Sequence, residues 1–169
     1  MARNFTLNFP STALGPALST TGPTYVNHGT TPFSRVGLAF DDSVDESSAT
    51  GMFVMPAEYT GSGTLKCDIA YYTASATSGD VAFLCALEAL TDGDSVDMEA
   101  ANSADLTGTT ATKTVPGTAG NPDIFTFTLT AKDSVAAGDI TRLFIVRDVS
   151  EDGVSGDVYV ASVSLYEET

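Results

Sequence analysis

The stretch from Thr64 to Leu90, TLKCDIAYYTASATSGDVAFLCALEAL, constrains the fold more than any other part of this chain. It holds two runs of alternating apolar residues, which are joined by a turn of small residues. Since successive side chains of a β-strand point to opposite faces, this alternation indicates two strands with one buried face each. The pattern predicts a central β-hairpin. A turn centred on Ala76 would place Cys67 directly opposite Cys85 in it.

The two cysteines of this predicted hairpin permit two interpretations. Cys67 and Cys85 lie on the apolar faces of their runs, so we expect buried and therefore unreactive thiols. They either stay reduced as a packing pair, which suits assembly in a cytoplasm, or form a cross-strand disulfide after release. A zinc site is excluded, because the chain has no further cysteine and no paired histidine to complete four ligands.

Short alternating runs separated by Gly, Pro, Asp and Ser recur along the rest of the chain, and no helical period persists. From residue 34 onward these runs predict about eight or nine strands, which fits the double-sheet jelly roll best. An immunoglobulin-like sandwich is the competing architecture, but the chain has no Trp and lacks the Cys–Trp–Cys spacing. We therefore predict an all-β chain with an eight- to nine-stranded jelly-roll β-sandwich domain over residues 34–169.

Residues 1–33 are predicted to be a first strand followed by an extended N-terminal arm. Asn4 to Phe9 alternates as a strand does, whereas Pro10 to Pro32 is rich in Gly, Pro, Thr and Ser and has almost no pattern. A segment of this length without secondary structure is unusual inside a compact domain. We expect it to cross a surface, either of this chain or of a neighbour.

The charge balance argues against binding to nucleic acids and to membranes. The chain has 22 acidic and 7 basic residues, a formal net charge of -15, and its basic residues form no patch. Phosphate backbones and anionic lipids should both repel such a chain. The N-terminus lacks the apolar segment of a signal peptide, and no run of eighteen apolar residues occurs, so we expect assembly in a cytoplasm.

The chain shows no motif for catalysis and no complete motif for a metal ion. His28 is its one histidine, and no Ser or Cys motif surrounds it, so we predict that the protein is not an enzyme. Asp92, Asp94 and Asp97 are the candidate ligands for calcium, which prefers several oxygen atoms from one loop. Their spacing does not match the EF-hand loop, and a charged turn explains them. We predict no metal and no cofactor.

Four segments in order resemble a domain that is common among tailed-bacteriophage virion proteins. They are residues 53–61 (FVMPAEYTG), the two apolar runs with their turn over residues 65–87, the acidic turn DGD at 92–94, and residues 137–166 with AGDI, IVRD, GDVY and VSLY. The resemblance covers roughly residues 36–167. It implies a jelly-roll module of the virion, either a capsid decoration (cement) protein or a head- or tail-fibre module.

From this resemblance we expect a non-enzymatic protein that binds and stabilises the capsid exterior. Its partner would be the major capsid protein or another virion protein, and its location the virion surface after assembly in the host cytoplasm. The symmetry of capsid lattices suggests a homotrimer. Tyr25, His28 and Phe33 are the candidate contact residues in the N-terminal arm.

A carbohydrate-binding or receptor-binding module of a phage fibre or a cell surface is the alternative function. Jelly rolls often carry such sites, which is an argument from fold alone. Tyr59, Tyr72 and Tyr159 are the candidates for stacking on a glycan or for an interface. Tyr71 and Tyr72 are neighbours in an alternating run and must face opposite ways, so one of them at most belongs to the core.

Overall fold

The structure, a computed structural model, describes residues 2–16, 22–29, 35–94, 108 and 110–169. Over these residues the chain forms twelve β-strands and a short 3-10 turn at Ser11–Ala13, and no helix in them is long and apolar enough to cross a membrane. The strands are β1 (Arg3–Pro10), β2 (Leu14–Pro16), β3 (Thr24–His28), β4 (Arg35–Phe40), β5 (Glu46–Thr50), β6 (Phe53–Val54), β7 (Thr64–Thr73), β8 (Asp80–Leu90), β9 (Thr110–Thr114), β10 (Asp123–Thr128), β11 (Ile140–Arg147) and β12 (Val158–Glu168).

The strands form two antiparallel sheets that pack face to face. Sheet A has the order β10-β7-β12-β4-β3, and β1 also pairs with β12. Sheet B has the order β2-β5-β11-β8-β9, and β6 also pairs with β11. Nine of the described strands, β4 to β12, lie after residue 34. The predicted all-β jelly-roll sandwich is confirmed.

The core lies between the two sheets and follows from the alternation along each strand. On β7 the inward side chains of Leu65, Cys67, Ile69 and Tyr71 are between 0% and 2% exposed, and the residues between them are only partly buried. Burial of apolar side chains on one face of each sheet is the main favourable term for such a sandwich. The outer face of sheet A is thereby left to the other set of side chains.

The predicted hairpin from Thr64 to Leu90 is wrong in its pairing, although both of its strands exist. β7 pairs with β10 and β12 in sheet A, whereas β8 pairs with β9 and β11 in sheet B. The small-residue turn therefore carries the chain from one sheet to the other. Alternation predicts which face of a strand is buried, but two strands that face each other across a core show the same pattern as two that pair.

This crossing also changes the predicted position of the two cysteines. Cys67 and Cys85 lie on opposite sheets rather than on paired strands, and both are free and buried. The pKa of the Cys85 thiol lies well above its ordinary value. Burial is the main cause, and the neighbouring Cys67 thiol raises it further. The structure therefore shows two unreactive thiols that meet across the core.

The described parts of the N-terminal segment belong to the sandwich, which corrects the expectation of an arm without secondary structure. The predicted first strand is present as β1, and β2 and β3 pair with β5 and β4. Phe5, Leu7 and Phe9 pack against the core. Edge strands tolerate Pro, Gly and weak alternation, which explains why the sequence pattern did not reveal β2 and β3. The division of the chain at residue 33 stays a prediction.

Candidate functional site

Two tyrosines form a stack on the outer face of sheet A. Tyr72 of β7 and Tyr159 of β12 are direct partners in the antiparallel register. Their ring centroids are 5.2 Å apart and their ring planes differ by 25°. Tyr71, the neighbour of Tyr72, points into the core and is 1% exposed. The pleat of the strand therefore places Tyr72 outside, as the alternation predicts.

His28 joins this stack from the edge strand β3. Its ring centroid is 4.4 Å from that of Tyr159 and 5.4 Å from that of Tyr72, and it meets both rings edge-on. Edge-to-face and offset-stacked arrangements are the favourable geometries for aromatic rings. His28, Tyr72 and Tyr159, which we call the aromatic cluster, are thus held by three strands of one rigid sheet.

Gly37 of β4 makes room for the aromatic cluster. A Cβ atom at this position would lie 2.9 Å from Tyr72 Oη and 3.3 Å from Tyr159 Cβ. The absence of a side chain therefore allows the Tyr72 ring to reach from β7 over β12 to β4. Glycine in a strand interior often marks such a close approach.

The aromatic cluster borders a pocket of about 420 Å³, which we call the aromatic pocket. It is lined by His28, Arg35, Tyr72, Gly120, Pro122 and Ala161. Ala161 is the extra residue of a β-bulge in β12, and bulges are common beside functional sites. The loop that precedes β10 closes another side, where the Gly120 N–H donates to the Thr73 carbonyl at 3.0 Å.

The polar atoms of the aromatic cluster are poorly satisfied. His28 Nε2 and Tyr72 Oη are buried and have no hydrogen-bond partner in the described structure. The pKa of Tyr72 is raised, mainly by burial and then by Tyr159. The charge of Arg35 lowers this pKa in part. Burial and then the Asp157 carboxylate raise the pKa of Tyr159. Both hydroxyls are therefore neutral near pH 7 and able to donate hydrogen bonds.

The other tyrosine candidates lie elsewhere. Tyr59 is 5% exposed and packs edge-on against Phe5 at 6.1 Å, so it is a core residue and not a stacking platform. Tyr25 is 52% exposed and its hydroxyl donates to the Leu14 carbonyl. It borders a separate cleft of about 320 Å³ with Arg142 and residues of β2 and β5.

The remaining candidates form no site in the described structure. Asp92 and Asp94 lie in the exposed turn after β8, where Asp94 accepts a hydrogen bond from the Thr91 N–H at 2.9 Å. Phe33 and Asp97 lie outside the described residues. Within the ranges that the structure describes, no group of three or more His, Cys, Asp or Glu side chains could hold a metal ion.

The structure thus brings together His28, Tyr72 and Tyr159, which are candidates for two different functions by sequence. It also adds Arg35 and Gly37, which no sequence pattern indicates. Their places in the site depend on the pairing of β3 with β4 and of β4 with β12, and no sequence pattern indicated these pairs.

The sequence matches no protein-family model and no curated protein. In fold, the chain is similar to the CBM35 of Cellvibrio japonicus Abf62, with a TM-score of 0.50, 11% identity, and coverage of 98% of this chain and 95% of that one. An arabinose-bound MgGH51 α-L-arabinofuranosidase has a TM-score of 0.50 and 14% identity over 96% of this chain, which spans 25% of that enzyme. These similarities show the class of fold, a β-sandwich of the kind found in carbohydrate-binding modules.

Proposed function

We propose that this chain is a non-catalytic carbohydrate-binding module whose site is the aromatic pocket. The observation that carries the proposal is the stack of Tyr72 on Tyr159, with His28 edge-on, at the border of a concave pocket. The fold similarity to a CBM35 supports it by analogy. A site for a small ligand needs apolar surface together with a few polar groups, and the aromatic pocket has both.

The physical argument rests on the two faces of a sugar ring. Its C–H groups pack on an aromatic ring, and its hydroxyls require hydrogen-bond partners once they leave water. Tyrosine supplies a large contact area at low conformational cost, and the edge-on packing of His28 against the stacked tyrosines holds them in place. The unpartnered polar atoms of His28 and Tyr72 lie in the same cluster.

The change Tyr72→Ala is expected to weaken glycan binding by about thirtyfold, the effect of removing an aromatic anchor that contributes about 2 kcal/mol. A glycan array would identify ligands, and isothermal titration calorimetry would measure the change in Kd. Tyr25→Ala is the matched control, because Tyr25 is exposed and borders the other cleft. Equal losses in both variants, or a loss only in Tyr25→Ala, would contradict the assignment of the site.

The change Gly37→Ala is expected to weaken glycan binding several-fold with a stability loss of about 1 kcal/mol. The new methyl group would lie 2.9 Å from Tyr72 Oη, which is the mobile end of a side chain, so the ring should move rather than the backbone. Gly51→Ala is the control, since a Cβ atom there meets nothing within 4 Å. Unchanged affinity in Gly37→Ala would show that the position of the Tyr72 ring does not matter.

We also propose, as the second candidate function, the virion structural role that the resemblance over residues 36–167 implies. The protein would bind a capsid protein or another virion protein as a homotrimer on the virion surface. Binding that requires the assembled shell would stabilise that shell by mass action. Co-sedimentation with capsids, a trimer by mass photometry and an empty glycan array would together favour this role over glycan binding.

A further inference from the structure

Arg35 is one of two basic residues for which the described structure shows no ion pair. Five of the seven form ion pairs, namely Arg3 with Asp68, Lys66 with Glu168, Lys113 with Asp123, Arg142 with Glu88 and Arg147 with Asp152. Among the described residues, Arg35 and Lys132 form none.

Arg35 also lies at the aromatic pocket. It begins β4 directly opposite His28 in the register, and its side chain is one of those that line the pocket. Its charge reaches the Tyr72 hydroxyl, where it opposes the effect of burial on the pKa of that group. The nearby acid, Asp157, acts instead on Tyr159. Among the described residues that line the pocket, Arg35 is the one permanent cation, and none is an acid.

We propose that the aromatic pocket selects a sugar that carries a carboxylate, such as a uronic acid, with the carboxylate on the Arg35 guanidinium. This rests on the proposed function of the pocket as a glycan site. A guanidinium offers two parallel N–H donors that match the two oxygens of a carboxylate. The sugar ring then lies against Tyr72, which lines the same pocket.

The acidic surface of the protein does not prevent this selectivity. At physiological ionic strength the Debye length is about 8 Å, so the distant carboxylates of the chain are largely screened. Arg35 is exposed, but a guanidinium in direct contact with a carboxylate lies well within one Debye length of it and keeps part of the attraction. We therefore expect the preference for the acidic sugar to persist at physiological ionic strength.

The test compares trigalacturonate with the neutral α-1,4-galactotriose, which has a hydroxymethyl group in place of each carboxylate, and 3′-sialyllactose with lactose as a second pair. We expect the wild-type protein to bind at least one acidic sugar about tenfold more tightly than its neutral partner, as one charge-assisted pair allows. Arg35→Gln should remove this preference, because it should weaken the binding of the acidic sugar about tenfold more than that of its neutral partner. Lys132→Gln, which has the same net charge as Arg35→Gln, should keep the preference.

Three results would overturn the proposal. They are equal affinity for both members of each pair, a similar loss for acidic and neutral sugars in Arg35→Gln, and a preference that Lys132→Gln removes as well. If glycans bind, Tyr72→Ala weakens that binding and the wild type shows no preference for the acidic sugar, then the carboxylate inference fails and the glycan site stands. If no glycan binds on a broad array, the proposed function and this inference fail together.

Discussion

Replacing Arg147 by methionine is expected to lower the free energy of unfolding by about 3–5 kcal/mol, the effect of breaking a buried ion pair. Arg147 is 0% exposed. Its Nε and Nη2 donate to Asp152 at 2.9 and 3.2 Å, and its other contacts are the carbonyls of Phe40, Val154 and Gly156 at 2.9–3.0 Å. A methionine side chain fills most of the space of the Arg147 side chain, but it leaves the buried Asp152 carboxylate without its cation.

Urea unfolding followed by circular dichroism would measure this loss. Arg3→Met is the matched control, because the Arg3 side chain is 45% exposed and pairs with Asp68 at the surface, so its replacement should cost about 1 kcal/mol. Arg147→Lys keeps the charge but not the planar fork, and we expect it to fall between the wild type and Arg147→Met. A loss below about 1 kcal/mol in Arg147→Met would show that the buried pair does not hold this part of the fold together.

This buried arginine could not be predicted from the sequence, and the reason is physical. Arg147 ends an apolar run, where a charged residue ordinarily marks the point at which a strand reaches solvent. Here the loop after β11 folds back, and Asp152, Val154 and Gly156 supply one carboxylate and two carbonyls that replace water. Such compensation depends on loop conformation, which alternation does not encode.

Many of the strands and their buried faces were predictable, whereas the edge strands β2 and β3 and the pairing of the strands were not. Period-two alternation predicts that Tyr71 and Tyr72 face opposite ways, and in the structure Tyr71 is the one that points into the core. The same alternation suits a strand in either sheet. It therefore predicts one hairpin over residues 64–90, although this segment crosses from one sheet to the other. Sheet order decides which distant residues meet, and the order here is far from sequential.

The candidate site could likewise be predicted from the sequence only in part. Tyr72, Tyr159 and His28 are plausible binding residues by type alone, but only the order β7-β12-β4-β3 brings them into one cluster. Tyr59 is an equally plausible binding residue by type. It is buried, however, because the loop before β7 packs it on Phe5 of β1. Residue type therefore indicated the chemistry, and the fold decided which residues can perform it together.

Replacing Glu167 by glutamine is expected to cost roughly 2–3 kcal/mol, the effect of losing hydrogen bonds to a buried charged group. Glu167 is 0% exposed. Its carboxylate accepts from the Asn4 amide at 2.6 Å, from the Thr60 N–H and hydroxyl at 3.0 and 3.1 Å, and from the Gly63 N–H at 3.0 Å. All these partners donate, so the amide nitrogen of glutamine would face another donor.

Glu168→Gln is the control for Glu167→Gln. Glu168 is the next residue on β12, its side chain is 19% exposed and it pairs with Lys66 at the surface. Its replacement should change the free energy of unfolding by less than about 1 kcal/mol. If urea unfolding shows the same loss of stability in both variants, the hydrogen bonds to Glu167 do not hold the loop from Tyr59 to Gly63 in place.

The stability that Glu167 contributes should also depend on pH in one direction. Burial alone would raise the pKa of its carboxyl, but the donors from Thr60, Asn4 and Gly63 outweigh burial and hold the pKa below its ordinary value. A carboxyl with a lowered pKa in the folded state stabilises fully above its unfolded pKa, and this stabilisation is lost as pH falls through the folded pKa. The difference in unfolding free energy between the wild type and Glu167→Gln should therefore be largest near pH 7 and shrink towards about pH 3. Equal differences at both pH values would mean that the carboxylate is not the charged acceptor that these donors surround.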